Sequence, residues 1–178
     1  MKNNVMIDIE TLGNVSNSVI VSIGAVKFDI ATGETGECLY QTVDIDSCLK
    51  KGMVVTGSTI RWWLSQSEEA RNELINGMNV PIEGALNNLS QFIQPTDIVW
   101  SNGLRFDISL LSDAYNLIGK PIPWEFRNER DVRTLVSFAP EIKRRKVEEY
   151  KSTTHHALFD CILQIQYCSE IYNKINLK

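Results

Sequence analysis

The feature that most constrains this chain lies in its first 44 residues, where three β-branched, apolar runs are separated only by short connections. Residues 3–10 (NNVMIDIE) read as a strand, 18–29 (SVIVSIGAVKFD) as a longer one and 37–44 (ECLYQTVD) as a third, with ATGE turning the chain at Gly33. Consecutive strands joined this closely form an antiparallel meander. The pattern then becomes helical. STIRWWLSQ from Ser58 and SEEARNELING from Ser67 each place a Ser where an N-cap belongs, and Gly77 follows the second. Pro81 opens another helix with apolar positions at 82, 85, 86, 89, 92 and 93. DIVWS at 97–101 is a short strand ended by Asn102-Gly103, and FDISLLSDAYNLIG is a helix stopped by Gly119. RDVRTLVSFA is a short helix ending near Pro140, and the segment from His156 is a long closing helix. The expectation is one α/β domain over 1–178, with a mixed sheet flanked by helices.

Charge narrows the function. Lys and Arg number 18 against 22 Asp and Glu, a net charge of -4. A chain so balanced does not coat nucleic acid or membrane by bulk positive charge, yet an enzyme can touch a few phosphates through bound cations. Asp8 and Glu10 precede any apolar stretch of signal length, so no secretory signal is expected, and no run approaches the length of a membrane span. Cys38, Cys48, Cys161 and Cys168 contain no C-x-x-C pair. The last two sit about 10 Å apart on one helix, too far for a disulfide, so reduced thiols and a cytoplasmic setting are expected.

The chemistry sits in three places. In a strand, Asp8 and Glu10 point to one face and Ile7 and Ile9 to the other, with the two acids roughly 6–7 Å apart at about 3.3 Å per residue. Carboxylates this close repel unless a cation lies between them, and oxygen ligands suit Mg²⁺ or Mn²⁺. A solvated edge is the plain alternative for D-x-E alone, but V-M-I-D-I-E has the apolar character of a central strand. Asp107 shares the apolar stripe of Leu110, Leu111, Ala114 and Ile118, where an acid is costly unless paired or bound to metal. The alternative is an acid favoured in a first helical turn. Ser101-Asn102-Gly103 just before it offers backbone and Asn102 to a ligand. His155 and His156, the chain's only histidines, precede Asp160 at a helix start. Histidine is the natural general base near neutral pH.

Asp8-x-Glu10, Asp107 within N-G-L-R-F-D, and His155-x-Ala157-x-x-Asp160 resemble, in order and spacing, the three motifs of the DEDDh 3′–5′ exonucleases. T-I-R-W-W (59–63) and R-D-V-R-T (130–134) resemble a subgroup holding phage 3′–5′ exodeoxyribonucleases and a bacterial exoribonuclease. The resemblance implies a ribonuclease-H-like fold, a three-strand antiparallel meander plus parallel strands, flanked by helices. It implies two Mg²⁺ or Mn²⁺ ions held by Asp8, Glu10, Asp107 and Asp160, release of nucleoside 5′-monophosphates from a DNA or RNA 3′ end, and His155 as general base. Helix geometry alone favours His156, four before Asp160. His155 fits if it lies at or before the first helical turn, with Thr153 and Thr154 capping the helix or aiming the ring. Cys161 stands where the family often has Ala.

Further substrate contacts follow with less support from the residues. The resemblance places Thr11 and Leu12 at the terminal nucleotide, though Leu12 packed on the core explains it equally. Trp62 and Trp63 cannot share one helix face, so one is core and the other, taken as Trp62, stacks on a base. Arg130 and Arg133 are candidates to grip phosphate, with Asp131 an N-cap. Lys143-Arg144-Arg145-Lys146, read as a loop, is the one dense basic run and a candidate to steer the substrate strand. Oligomeric state is left open, a homodimer included. Two rivals remain: a two-metal phosphoesterase acting on small esters, and a non-catalytic nucleic-acid-binding module.

Overall fold

A computed structural model of the chain describes residues 4–75, 77, 79–149 and 155–176. The meander forms as expected: β1 (Asn4–Thr11), β2 (Ile20–Phe28) and β3 (Thr35–Thr42) pair antiparallel in sequence order. β4 (Ile98–Ser101) then adds parallel to the far side of β1, and β5 (Glu129–Asp131) parallel to β4. The order is β3-β2-β1-β4-β5, so β1 is central, as its two apolar faces require.

The helices are α1 (Ile45–Lys50), α2 (Gly57–Leu64), α3 (Glu68–Ile75), α4 (Ile82–Phe92), α5 (Asp107–Leu117), α6 (Val132–Val136), α7 (Pro140–Glu149) and α8 (Ala157–Asn176). Alternation along β1 divides the core. Val5, Ile7 and Ile9 face Leu86 and Leu89 of α4 and Leu111 and Ala114 of α5. Met6 faces the other way, toward Cys161, Ile165 and Cys168 of α8, Val132 of α6 and Ile142 of α7. Asp8 and Glu10 continue the Met6 face toward α8.

Two irregularities shape the site end of the sheet. The β1–β2 register slips between Glu10 and Thr11, a bulge that bends the strand just past its acids. At Gly24, opposite Asp8, a Cβ would lie 2.5 Å from the Ala157 carbonyl carbon, so the first turn of α8 rests directly on β2 backbone.

Several elements differ from expectation. The basic run 143–146 is helical, within α7. Its composition suggested solvated loop because only Ile142 of the helix is buried; Arg145 pairs with Glu149 and with Glu170 of α8 instead. β5 is three residues long, too short for alternation to reveal. α1 was not anticipated; Asp44 caps it, accepting the Asp46 N–H at 3.0 Å. α2 begins one residue earlier than Ser58, with Thr56 at its N-cap. Ser67 and Asp131 do cap α3 and α6, accepting the N–H groups of Ala70 and Arg133. The four cysteines are free thiols. No described helix is long and apolar enough to cross a membrane.

Candidate active site

The site forms where parallel strands end. The β1–β4 ladder stops at Met6–Trp100, so β1 runs on without a neighbour on that side. Asp107, in the first turn of α5, fills this position: its Oδ1 accepts the Ile9 N–H at 3.2 Å. The buried N–H gains an acceptor, and Asp107, only 4% exposed, is fixed beside Asp8.

α8 supplies the remaining acid from the other face. Carboxylate oxygens of Asp8, Glu10 and Asp160 all lie within 4.8 Å of one another. Asp107 adjoins this cluster, and among the neighbouring charges it acts most strongly on Asp8. Burial holds Asp8 well above the usual carboxylate range, reinforced by the charges of Asp107, Glu10 and Asp160; the Gln164 amide, donating to Asp8 Oδ1 at 2.8 Å, opposes this. Burial pushes Asp107 up to about 7, against the opposing Ile9 N–H and Arg133 charge. Asp160 is raised by burial, against the charge of His155 and the backbone N–H groups of His155 and His156. Asp8, Asp107 and Asp160, whose charged forms are disfavoured, and Glu10 beside them make a site that a divalent cation would relieve, and all-oxygen donors suit Mg²⁺ or Mn²⁺.

His155 precedes α8 rather than belonging to it. Its backbone is left-handed (φ 72°), and its N–H donates to Asp160 Oδ2 at 3.2 Å. The helical angular count that favoured His156 therefore does not apply. The His155 ring meets the edges of Trp62 and Trp63, at 4.6 and 6.0 Å between centroids. His156 turns elsewhere, stacked on Tyr40 at 4.4 Å and tilted against Phe159 at 4.3 Å. Thr153 and Thr154 lie outside the described residues.

Asp8, Glu10, Asp107, Asp160 and His155 line one cleft of about 320 Å³, with Asn102, Lys143 and Gln164. Trp62 borders it through His155 and is 40% exposed; Trp63 is buried, its indole N–H donating to the Thr11 carbonyl at 2.9 Å. The division between the two tryptophans thus places Trp63 in the core. Arg133 lies over Gly103, where a Cβ would sit 2.9 Å from its guanidinium carbon. Thr11, Leu12 and Arg130 do not line the cleft. The Thr11 hydroxyl donates to the Gly13 carbonyl, Leu12 is buried in the core, and the Arg130 guanidinium donates to the carbonyls of Arg127 and Glu129. Lys143 reaches the cleft because α7 is a helix, and Gln164 lines it without belonging to any motif in the sequence. Its one signal was position, four residues past Asp160 on the same helix face.

Known proteins share this architecture. The chain superposes on Escherichia coli exonuclease I in complex with a dA16 oligonucleotide with a TM-score of 0.70 at 14% identity, covering 99% of this chain and 42% of that one. It matches the nuclease domain of 3′hExo, a DEDDh family member bound to rAMP, with a TM-score of 0.61 at 11% identity, covering 97% and 92%. It thus spans less than half of the exonuclease I chain. In sequence it is 27% identical over 158 residues to an exodeoxyribonuclease of Enterobacteria phage T4, covering 74% of this chain and 69% of that one. The mixed sheet with its flanking helices is the ribonuclease-H-like fold of these nucleases, and the sequence places the chain among 3′–5′ exonuclease domains, hydrolases of nucleic acid. The chain belongs to the Rv2179c-like 3′–5′ exoribonuclease domain family, whose model matches residues 3–172.

Proposed function

We propose that this domain, acting alone or as a homodimer in a reducing cytoplasm, removes nucleoside 5′-monophosphates one at a time from a DNA or RNA 3′ end. Asp8, Glu10, Asp107 and Asp160 would hold two Mg²⁺ or Mn²⁺ ions, and His155 is the general base. The observation that carries this is the convergence of Asp8 and Glu10 with Asp160, from opposite ends of the chain, to within 4.8 Å. Bound there, such ions supply charge neutralisation at the scissile phosphate and its leaving 3′ oxygen, and make the attacking water more acidic.

The chain's own groups do the rest. His155 takes a proton from water as the water oxygen bonds to phosphorus; the P–O3′ bond breaks, and the 3′ oxygen leaves with a proton from solvent. In this reading Trp62, whose ring meets that of His155, stacks on a base. Arg133, whose charge reaches Asp107, and Lys143, which lines the cleft with Asn102, would take phosphate oxygens. In this reading Thr11 and Leu12 shape the strand end beside the terminal nucleotide, and Arg130 holds the turn before β5.

His155→Ala should lose about 10²–10⁴-fold in turnover while binding Mn²⁺ as before, and His156→Ala should lose far less. The reverse ranking at saturating Mg²⁺ overturns the assignment of the base.

A further inference from the structure

Among the described residues two glutamines are buried, and they behave differently. Gln41 on β3 uses both ends of its amide structurally: Nε2 donates to the Ala85 carbonyl at 2.7 Å, and Oε1 accepts from Asn88 at 3.0 Å. It ties the sheet to α4, and the cost of burying an amide is met in full. Gln164 on α8 is 4% exposed. Its Nε2 donates to Asp8 Oδ1 at 2.8 Å, and its Oε1, also buried, accepts nothing among the described residues. A glutamine kept for the fold would be bonded like Gln41. The one bond that Gln164 makes is aimed at the acid cluster.

We propose that Gln164 is a positioning residue for the metal site: its amide fixes the Asp8 carboxylate in one rotation, so that Asp8 meets Glu10 and Asp160 in a single arrangement before any cation arrives. The proposal rests on the metal-holding role given to Asp8 above. A carboxylate's terminal torsion is broad and roughly two-fold, and one hydrogen bond from a buried, helix-borne donor selects among its orientations. Asp160 and Gln164 lie one turn apart on α8 and arrive together, so the element that brings the last acid also orients the first. The residue type matters too. A lysine here would pair with Asp8 and compete with a cation, whereas an amide donates without adding charge. Groups that orient a metal's ligands in this way are typically worth about 10–100-fold in metal affinity or activity.

The test is calorimetric titration of the full chain with Mn²⁺, alongside melting in EDTA. Gln164→Met keeps the length and removes the donor; Gln164→Asn keeps the amide but falls short of Asp8. Both should bind Mn²⁺ roughly 10–100-fold more weakly, with metal-free melting unchanged. The Mn²⁺ concentration for half-maximal nuclease activity should rise by the same factor, and turnover should recover as Mn²⁺ saturates. Wild-type Mn²⁺ affinity in either folded variant overturns the proposal, as does a loss of metal-free stability with affinity unchanged. Asp8→Ala separates the two claims: if it binds Mn²⁺ like wild type, the metal site itself is wrong, whatever the Gln164 variants do.

Discussion

Replacing Asp107 by Asn should stabilise the metal-free protein, by an amount that grows with pH. Asp107 titrates at about 7 in the fold against an ordinary value of 3.8. Between these values the folded state holds a proton that the unfolded chain has released, so stability falls as pH rises, by about 1.4 kcal/mol per pH unit. Above pH 7 both states are ionised and the whole penalty applies, on the order of 4 kcal/mol. At pH 5 it is only roughly 1–2 kcal/mol. An asparagine keeps an oxygen to accept the Ile9 N–H, as the protonated acid does, so its gain follows the penalty it removes. Its removal of charge also relieves Asp8. The net gain is about 4 kcal/mol at pH 8 and roughly 1–2 kcal/mol at pH 5. For a chain of this size the gain at pH 8 corresponds to a rise of roughly 8–16 °C in melting temperature. Thermal melts of both proteins in EDTA at pH 5, 6, 7 and 8 measure it directly. With Mn²⁺ at about 100 times its Kd the gap at pH 8 should narrow, because the bound ligand then stabilises wild type by about 2.7 kcal/mol. A variant no more stable than wild type at pH 8 in EDTA, or a gap that ignores pH, would refute the reasoning.

Trp63→Ala should cost about 3–5 kcal/mol of stability, whereas Trp62→Ala should weaken binding of a short oligonucleotide by about 1–3 kcal/mol with melting almost unchanged. If both merely destabilise, the stacking role of Trp62 is wrong. Gly24→Ala should leave a folded protein whose α8 is pushed off β2, because the new Cβ meets the Ala157 backbone at 2.5 Å. Asp160 moves with the helix, so Mn²⁺ affinity should fall. Gly36→Ala, whose Cβ meets nothing closer than 3.6 Å, is the control and should bind Mn²⁺ normally.

What sequence could reveal here followed from range. Alternation placed Asp8 and Glu10 on one face of β1, and the apolar stripe placed Asp107 at the start of α5, because both patterns are local. The match of three motifs linked those residues to Asp160, which no periodicity could do. The bulge after Glu10, the approach of α8 at Gly24 and the Ile9–Asp107 hydrogen bond depend on contacts distant in sequence and left no trace in composition. α7 was misread because its stabilising partners are charges, among them Glu170 on another helix. Leu12 and Arg130 matched motif positions, yet their side chains are held by core packing and by neighbouring carbonyls respectively. Gln164 carries no charge and matches no motif; only its bond to Asp8 gives it a role.

The central claim is tested most directly by incubating the chain with 5′-labelled single-stranded RNA and DNA oligonucleotides in Mg²⁺, Mn²⁺ or EDTA, with Asp8→Ala alongside. The expected result is a ladder that shortens stepwise from the 3′ end of at least one polymer, releases nucleoside 5′-monophosphates, stops in EDTA and is absent with Asp8→Ala. Polymers left intact by a folded, Mn²⁺-bound protein that hydrolyses small phosphate esters would contradict it.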